Sequence, residues 1–263
     1  MSDATIGSLK SVFDDAEDDG ILSAATKDLM CVSLNDNVLA GVAGTDIEDL
    51  DVTEVTLVSV LIDDSGSMWG RADAARKGQH DMLLAFIDSK QNDSILLGQW
   101  AMCLDDPYHS YVPVDQATKF DSNNYKADGS YTPLYDRWAE VLMANVAYAQ
   151  QLRATGTPVR SVAVVITDGW DNGSRKFTAN KCAQIAKDLI ASEQFVLAFI
   201  GVGDDVDFRT VGLSMGIPDG AILLAGSSPS EMRRVFRMLS QSVIRASQTA
   251  IDPSAAQNTF FTP

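Results

Sequence analysis

The sequence predicts an α/β fold: a doubly wound, mostly parallel central sheet with one antiparallel edge strand and helices on both faces. Strand-like and helix-like segments alternate along the chain, as parallel crossover units require. Residues 55–63 (VTLVSVLID) and 161–167 (SVAVVIT) are nearly continuous β-branched and apolar runs, the pattern of strands covered on both faces. Both runs end on polar, oxygen-rich loops, where such sheets gather their functional residues.

After the first strand and its loop, residues 71–88 place Ala75, Gly78, Met82 and Phe86 on one helical face. Residues 94–103 (SILLGQWAMC) read as a second strand, and 108–114 as a short edge strand in which Pro113 is tolerated. A long polar loop spans 116–130. Thr132 and Pro133 then open a helix as its cap and first-turn residue, and Leu134, Trp138, Val141, Leu142, Ala149 and Leu152 give it an apolar side. Gly156 stops this helix before the third strand, which ends at Asp168. A helix over 178–193, strands over 195–202 and 221–224, and a closing helix from 229 to about 246 complete the pattern. With the first strand central and the third beside it across the reversal of winding, Asp63 and Asp168 face each other over the crevice.

Composition sets the outer limits. At 263 residues and 46% apolar content, the chain can build one sizeable core. We divide it into an acidic N-terminal extension (1–50), a main domain (51–247) and a C-terminal tail (248–263) in which Phe260 and Phe261 can dock on the core. Residues 1–54 carry 13 Asp plus Glu against 2 Lys plus Arg, so the formal charge of −16 is concentrated at the front. The run Asp14 to Asp19 favours a solvated, flexible segment, and residues 21–42 are apolar enough to pack. No basic patch interleaved with aromatics suggests nucleic acid as a partner. Cys31, Cys103 and Cys182 lack the spacing of a disulfide framework or zinc knuckle. No signal-peptide pattern and no run of roughly 18 apolar residues is present, so we expect no membrane partner and a cytoplasmic location.

Five residues carry the functional signal: Asp63, Ser65 and Ser67 in LIDDSGSM, Thr132 in DGSYTPLYD and Asp168 in VVITDGW. Two carboxylates and three hydroxyls form an all-oxygen set. Such a set suits a hard divalent ion, Mg²⁺ first, with Mn²⁺ or Ca²⁺ as substitutes, and suits zinc or copper poorly. The alternative is a polar turn that merely caps a helix. Asp64 points the other way by strand alternation, and Asp171 reads as a turn residue.

The order D-x-S-x-S, then a distant Thr, then a strand ending T-D-G resembles the metal-ion-dependent adhesion site of von Willebrand factor type A domains, of the stand-alone intracellular prokaryotic type. The resemblance covers roughly residues 52–247, with matches at Asp63, Ser65, Ser67, Thr132 and Asp168. It departs at the second loop, where Gly129, Ser130, Tyr131 and Thr132 stand in place of a compact Gly-Gly-Thr turn, so Ser130 rivals Thr132. The resemblance implies a Rossmann-like fold in which the three hydroxyls hold the ion directly and the two aspartates act mainly through water. The ion's shell is then neutral and short of one anion, which an Asp or Glu of a protein partner can complete.

Trp69, Tyr131 and Trp170 accompany the three loops, either as a rim that reads groups flanking the incoming carboxylate or as packing for adjacent helices. The implied function is that of an adaptor without enzymatic activity, by analogy serving an AAA+ ATPase or a stress or defence system. One alternative is self-association, with the acidic extension of one copy supplying the carboxylate to the next. A remoter one is metal-dependent phosphoryl transfer, weakened because Ser65 occupies the place of the second acid of a D-x-D pair. His80 and His109 are the only histidines and supply neither a triad nor a His-rich centre.

Overall fold

The computed structural model describes residues 5–45, 52–248 and 257–262. Its six-stranded sheet has the order β3-β2-β1-β4-β5-β6. The strands are β1 (Val55–Ile62), β2 (Ile95–Ala101), β3 (His109–Pro113), β4 (Val159–Thr167), β5 (Phe195–Val202) and β6 (Ile222–Ala225). Neighbouring strands are parallel except β2 and β3, so the short strand holding Pro113 is the antiparallel edge. β1, β2 and β5 are buried along their whole length, the physical counterpart of their unbroken apolar sequence. Winding reverses between β1 and β4. These strands pair with Ile62 opposite Ile166, and the Asp63 amide donates to the Ile166 carbonyl at 2.8 Å, which brings their functional ends level.

Successive strand residues point to opposite faces, and β2 shows which helices cover each face. Gln99 receives a hydrogen bond from Gln79 of α4 (Ala72–Ile87), against which α8 (Pro229–Gln248) packs through Phe236 at Gly78. Its neighbour Trp100 lies on the other face, under Ala144 of α5 (Leu134–Ala154). α6 (Ala179–Ala191) packs beside α5 on that side, and α7 (Phe208–Ser214) beside α6. The sequence reading missed α7 because seven residues hold too few turns to show a period.

Three helices form a further layer, α1 (Ile6–Asp18) and α3 (Asp36–Val42) over α5 and α2 (Ala24–Ser33) against α1 and α6. Each starts on a side-chain cap, from Thr5, Ser23 and Asn35 in turn. α1 buries Leu9, Phe13 and Ala16 at helical spacing and leaves Asp14, Asp15 and Asp18 exposed. The acidic run is thus solvated but helical, because Leu9, Phe13 and Ala16, at i, i+4 and i+7, supply an apolar stripe on the opposite side. Asn35 and Asn37 donate to Glu140 at 2.6 and 3.2 Å, and Gln150 donates to Asp19 at 2.8 Å, so the layer is tied to α5 by polar contacts too. Gly41 sits where an added Cβ would lie 2.2 Å from the Trp100 ring, which makes glycine a requirement of this close approach.

This layer corrects the expected one-sided α5: every residue from Arg137 to Gln150 is buried. The helix start also differs. Pro133 occupies the cap position without a side-chain cap, and Thr132 lies just outside the helix. The first amides are served from elsewhere, Tyr135 by Asp171 at 3.4 Å and Asp136 by Ser174 at 3.0 Å. At the far end of the chain, the Gln257 amide pairs with both backbone groups of Leu197 at 2.9 and 2.7 Å, extending β5 where short β6 does not reach. Phe260 and Phe261 are buried against the core. The expected boundary at 50/51 and the tail residues 249–256 lie outside the described residues.

Candidate metal centre

Three chain segments meet at the functional ends of β1 and β4: residues 63–71, 129–133 and 167–177. A parallel bridge joins the first two, Gly66 donating to the Gly129 carbonyl at 2.9 Å and Gly129 to the Asp64 carbonyl at 3.1 Å. A Cβ on Gly129 would lie 2.4 Å from the Cys103 sulfur, so the bridge needs glycine there. The second and third segments are clasped by Asn172, whose side-chain oxygen accepts from the Thr132 amide at 2.6 Å and whose own amide donates to the Thr132 carbonyl at 3.0 Å. Asp136 then accepts from the amides of Arg175, Lys176 and Phe177, fixing the remainder of the loop to the start of α5.

Within this frame the oxygens converge. Ser65 Oγ and Ser67 Oγ are 3.0 Å apart, and Ser67 donates to Asp168 Oδ1 at 2.6 Å. Asp63, fully buried, accepts from the Ser65 amide at 2.9 Å and from the Thr167 hydroxyl at 2.6 Å. Thr132 is buried with its hydroxyl 3.8 Å from where a Cβ on Gly169 would stand, so it faces the β4 loop beside Asp168. Ser130 is exposed. Of the two second-loop hydroxyls, Thr132 therefore lies closer to the cluster's side of the loop.

Electrostatics favour a cation here. Burial raises the Asp168 pKa above the ordinary carboxylate value, and the nearby Asp63 charge adds to the rise, while Ser67 and Arg71 oppose it. Arg71 is the local counter-charge, with a guanidinium nitrogen 2.5 Å from Asp168 Oδ2. Asp64 turns away, its Oδ1 accepting from the Cys103 amide at 2.8 Å, and burial raises its pKa. Asp171 serves the turn and the helix start, accepting from Ser174 and Tyr135.

No family model and no curated protein matches the chain. Among solved structures, the pilus adhesin SpaC from Lactobacillus rhamnosus GG in its open conformation aligns with a TM-score of 0.53 at 14% identity, over 74% of this chain and 30% of the adhesin. The SpRpn10 VWA domain aligns over 70% of this chain and 94% of its own length, at 13% identity and a TM-score of 0.47. Proximal thread matrix protein 1 from the mussel byssus, with a zinc-occupied MIDAS motif, aligns over 75% of this chain and 47% of that one at 15% identity and a TM-score of 0.48. The alignment with the adhesin shows a shared fold, and the mostly parallel six-stranded sheet with one antiparallel edge is the arrangement expected of the von Willebrand factor type A fold. The chain spans less than a third of the length of the adhesin.

The five residues matched in the sequence lie on the three converging segments described above. Their chemistry fits a hard divalent ion, since every donor is a carboxylate or hydroxyl oxygen. Among the described residues, no group of three or more His, Cys, Asp or Glu is placed to hold a metal, so a cation here depends on the serine and threonine hydroxyls. Trp69, Tyr131 and Trp170 are 75%, 52% and 53% exposed, which leaves most of each ring off the helices.

Sequence reasoning missed four residues of the site. Thr167 and Tyr125 hold Asp63 through its carboxylate and its carbonyl, the latter at 2.7 Å. Asn172 clasps Thr132, and Arg71 pairs with Asp168. Thr167 precedes Asp168 in the same motif, and that adjacency was the available signal. The contacts of Tyr125 with Asp63, Asn172 with Thr132 and Arg71 with Asp168 span long sequence separations, and nothing in the sequence pairs them. No helix among the described residues is long and apolar enough to cross a membrane.

Proposed function

We propose that this chain is a protein-binding module without enzymatic activity, which docks a partner's Asp or Glu side chain on a divalent cation held by Asp63, Ser65, Ser67, Thr132 and Asp168. The observation that carries the reading is the run of touching oxygens from Ser65 through Ser67 to Asp168, fed by separate loops and backed by a buried Asp63. With neutral hydroxyls as direct ligands and the aspartates one water further out, the ion keeps much of its charge for an incoming carboxylate. Mg²⁺ is the expected ion, with Mn²⁺ or Ca²⁺ as substitutes. Trp69, Tyr131 and Trp170 stand exposed on the same three segments and would supply apolar contact around that carboxylate.

The partner would be a cytoplasmic protein, and by analogy with the fold an AAA+ ATPase or a component of a stress system is the class to try first. Affinity capture with wild type and Asp63→Ala, in Mg²⁺ and in chelator, tests the reading. A partner retained only by wild type in Mg²⁺ and released by excess acetate supports it. Retention indifferent to chelator and to Asp63 rejects it. Sedimentation with and without Mg²⁺ shows whether the carboxylate comes from a second copy, through the acids exposed on α1.

A further inference from the structure

The candidate centre already contains a positive charge. Arg71 places one guanidinium nitrogen 2.5 Å from Asp168 Oδ2 and 3.1 Å from the Ser67 carbonyl, and its Nε donates to the Ser227 carbonyl at 3.3 Å. These contacts strap it between the first loop, the β4 loop and the segment before α8. The Arg71 side chain is 18% exposed and that of Asp168 1%, so water screens their interaction far less than that of a surface pair.

We propose that Arg71 is a specificity-determining residue of the centre, which competes with the divalent ion for Asp168 and thereby makes tight cation binding depend on an arriving carboxylate. The inference rests on the cation reading above. Its logic is charge. Asp63 and Asp168 contribute two negative charges and Arg71 one positive charge, Asp64 being turned toward the Cys103 amide. Without a metal the centre is left with one unbalanced negative charge. With a divalent ion it carries one surplus positive charge, which a single carboxylate neutralises. Were Arg71 absent, metal and aspartates would balance by themselves and the demand for an external anion would fall.

A fixed guanidinium sharing one carboxylate with the ion also repels it, and the held position of Arg71 prevents that repulsion from relaxing cheaply. By linkage, the factor by which a carboxylate tightens Mg²⁺ binding equals the factor by which Mg²⁺ tightens carboxylate binding.

Calorimetric titration of Mg²⁺ into wild type, Arg71→Met and Arg71→Lys, each with and without excess acetate, tests this. Arg71→Met is expected to bind Mg²⁺ about tenfold more tightly than wild type, roughly the effect of one modest charge repulsion, and to lose most of the tightening that acetate gives wild type. Arg71→Lys keeps the charge and should stay near wild type. In chelator, Arg71→Met should melt below wild type because Asp168 is left unpaired, and saturating Mg²⁺ should close that gap. A purely structural role would leave the melting gap the same in chelator and in Mg²⁺. Arg71→Gln, which can still donate to the Ser67 carbonyl, serves as the uncharged variant should methionine disturb the loop.

Equal or weaker Mg²⁺ affinity in the uncharged variants overturns the proposal and leaves the cation reading standing. Absence of Mg²⁺ binding in every variant and in wild type overturns the cation reading, and this inference with it.

Discussion

The two faces of the sheet are built to different depths. On one, α4 and α8 form a single layer, and α8 keeps a solvated side. On the other, α1 and α3 lie over α5 and α2 over α6, and α5 is buried all round from Arg137 to Gln150. The difference teaches how the candidate centre is held. Its second and third loops hang from the start of the doubly covered α5 through Asn172, Ser174 and the Asp136 carboxylate. The first loop instead runs into α4 on the thinner face, with Arg71 bridging it to the β4 loop and the segment before α8. One part of the site is anchored by bulk, the other by a few polar contacts.

The largest effect expected from breaking this contrast is on the thick side. Phe13 is fully buried, and Phe13→Ala should lower stability by about 3–5 kcal/mol in urea denaturation, the usual cost of emptying an aromatic core site. A loss below about 1 kcal/mol would mean that the outer layer contributes little to holding α5. Next comes the clamp. Asp136→Ala removes a carboxylate that accepts three backbone amides, at 2.8, 2.7 and 3.0 Å, and should cost about 1.5–3 kcal/mol while weakening Mg²⁺ binding through a loosened β4 loop. Unchanged Mg²⁺ affinity in a variant destabilised this much would separate the loop anchor from the site.

Exposed rings stand on both parts of the site, Trp69 on the thinly held first loop and Trp170 on the third loop. Trp69→Ala and Trp170→Ala remove exposed rings, so stability should move by less than about 0.5 kcal/mol. Partner binding should fall about tenfold or more with Mg²⁺ affinity preserved. Equal loss of metal and partner affinity would reject the rim.

A smaller effect is expected from His109 on the edge strand. Its ring nitrogen lies 2.8 Å from the Gln99 amide and accepts from it, because the other ring nitrogen donates to the Ser110 carbonyl at 2.7 Å. Burial holds its pKa below the ordinary value of 6.5. The unfolded chain therefore takes up this proton first, and the stability contributed by the neutral ring is present above about pH 6.5 and lost as pH falls below it. His109→Gln should flatten that part of the stability profile, and an unchanged slope would assign it to other groups.

What the sequence made legible follows the range of the interactions involved. Parallel strands announce themselves through local runs such as VTLVSVLI, and each observed strand lies within about two residues of its expected span. The D-x-S-x-S loop and the T-D-G strand end are equally local. The cover on α5 was not legible, because α5 by itself carries an apolar side and a set of polar residues, Glu140 and Gln150 among them, that reads as solvated. Their partners, Asn35, Asn37 and Asp19, lie more than a hundred positions earlier. The cap expected at Thr132 failed for the same reason: distant Asp171 and Ser174 serve the helix start, and Thr132 lies outside it.

The central claim is that three separated segments share one cation, and the direct measurement is calorimetric titration of Mg²⁺ into wild type, Ser67→Ala and Thr132→Ala, whose substitutions lie on different loops. The account predicts a single site per chain in wild type, weakened by each substitution on its own. An isotherm without binding heat in wild type, or one that Thr132→Ala leaves untouched, would contradict it.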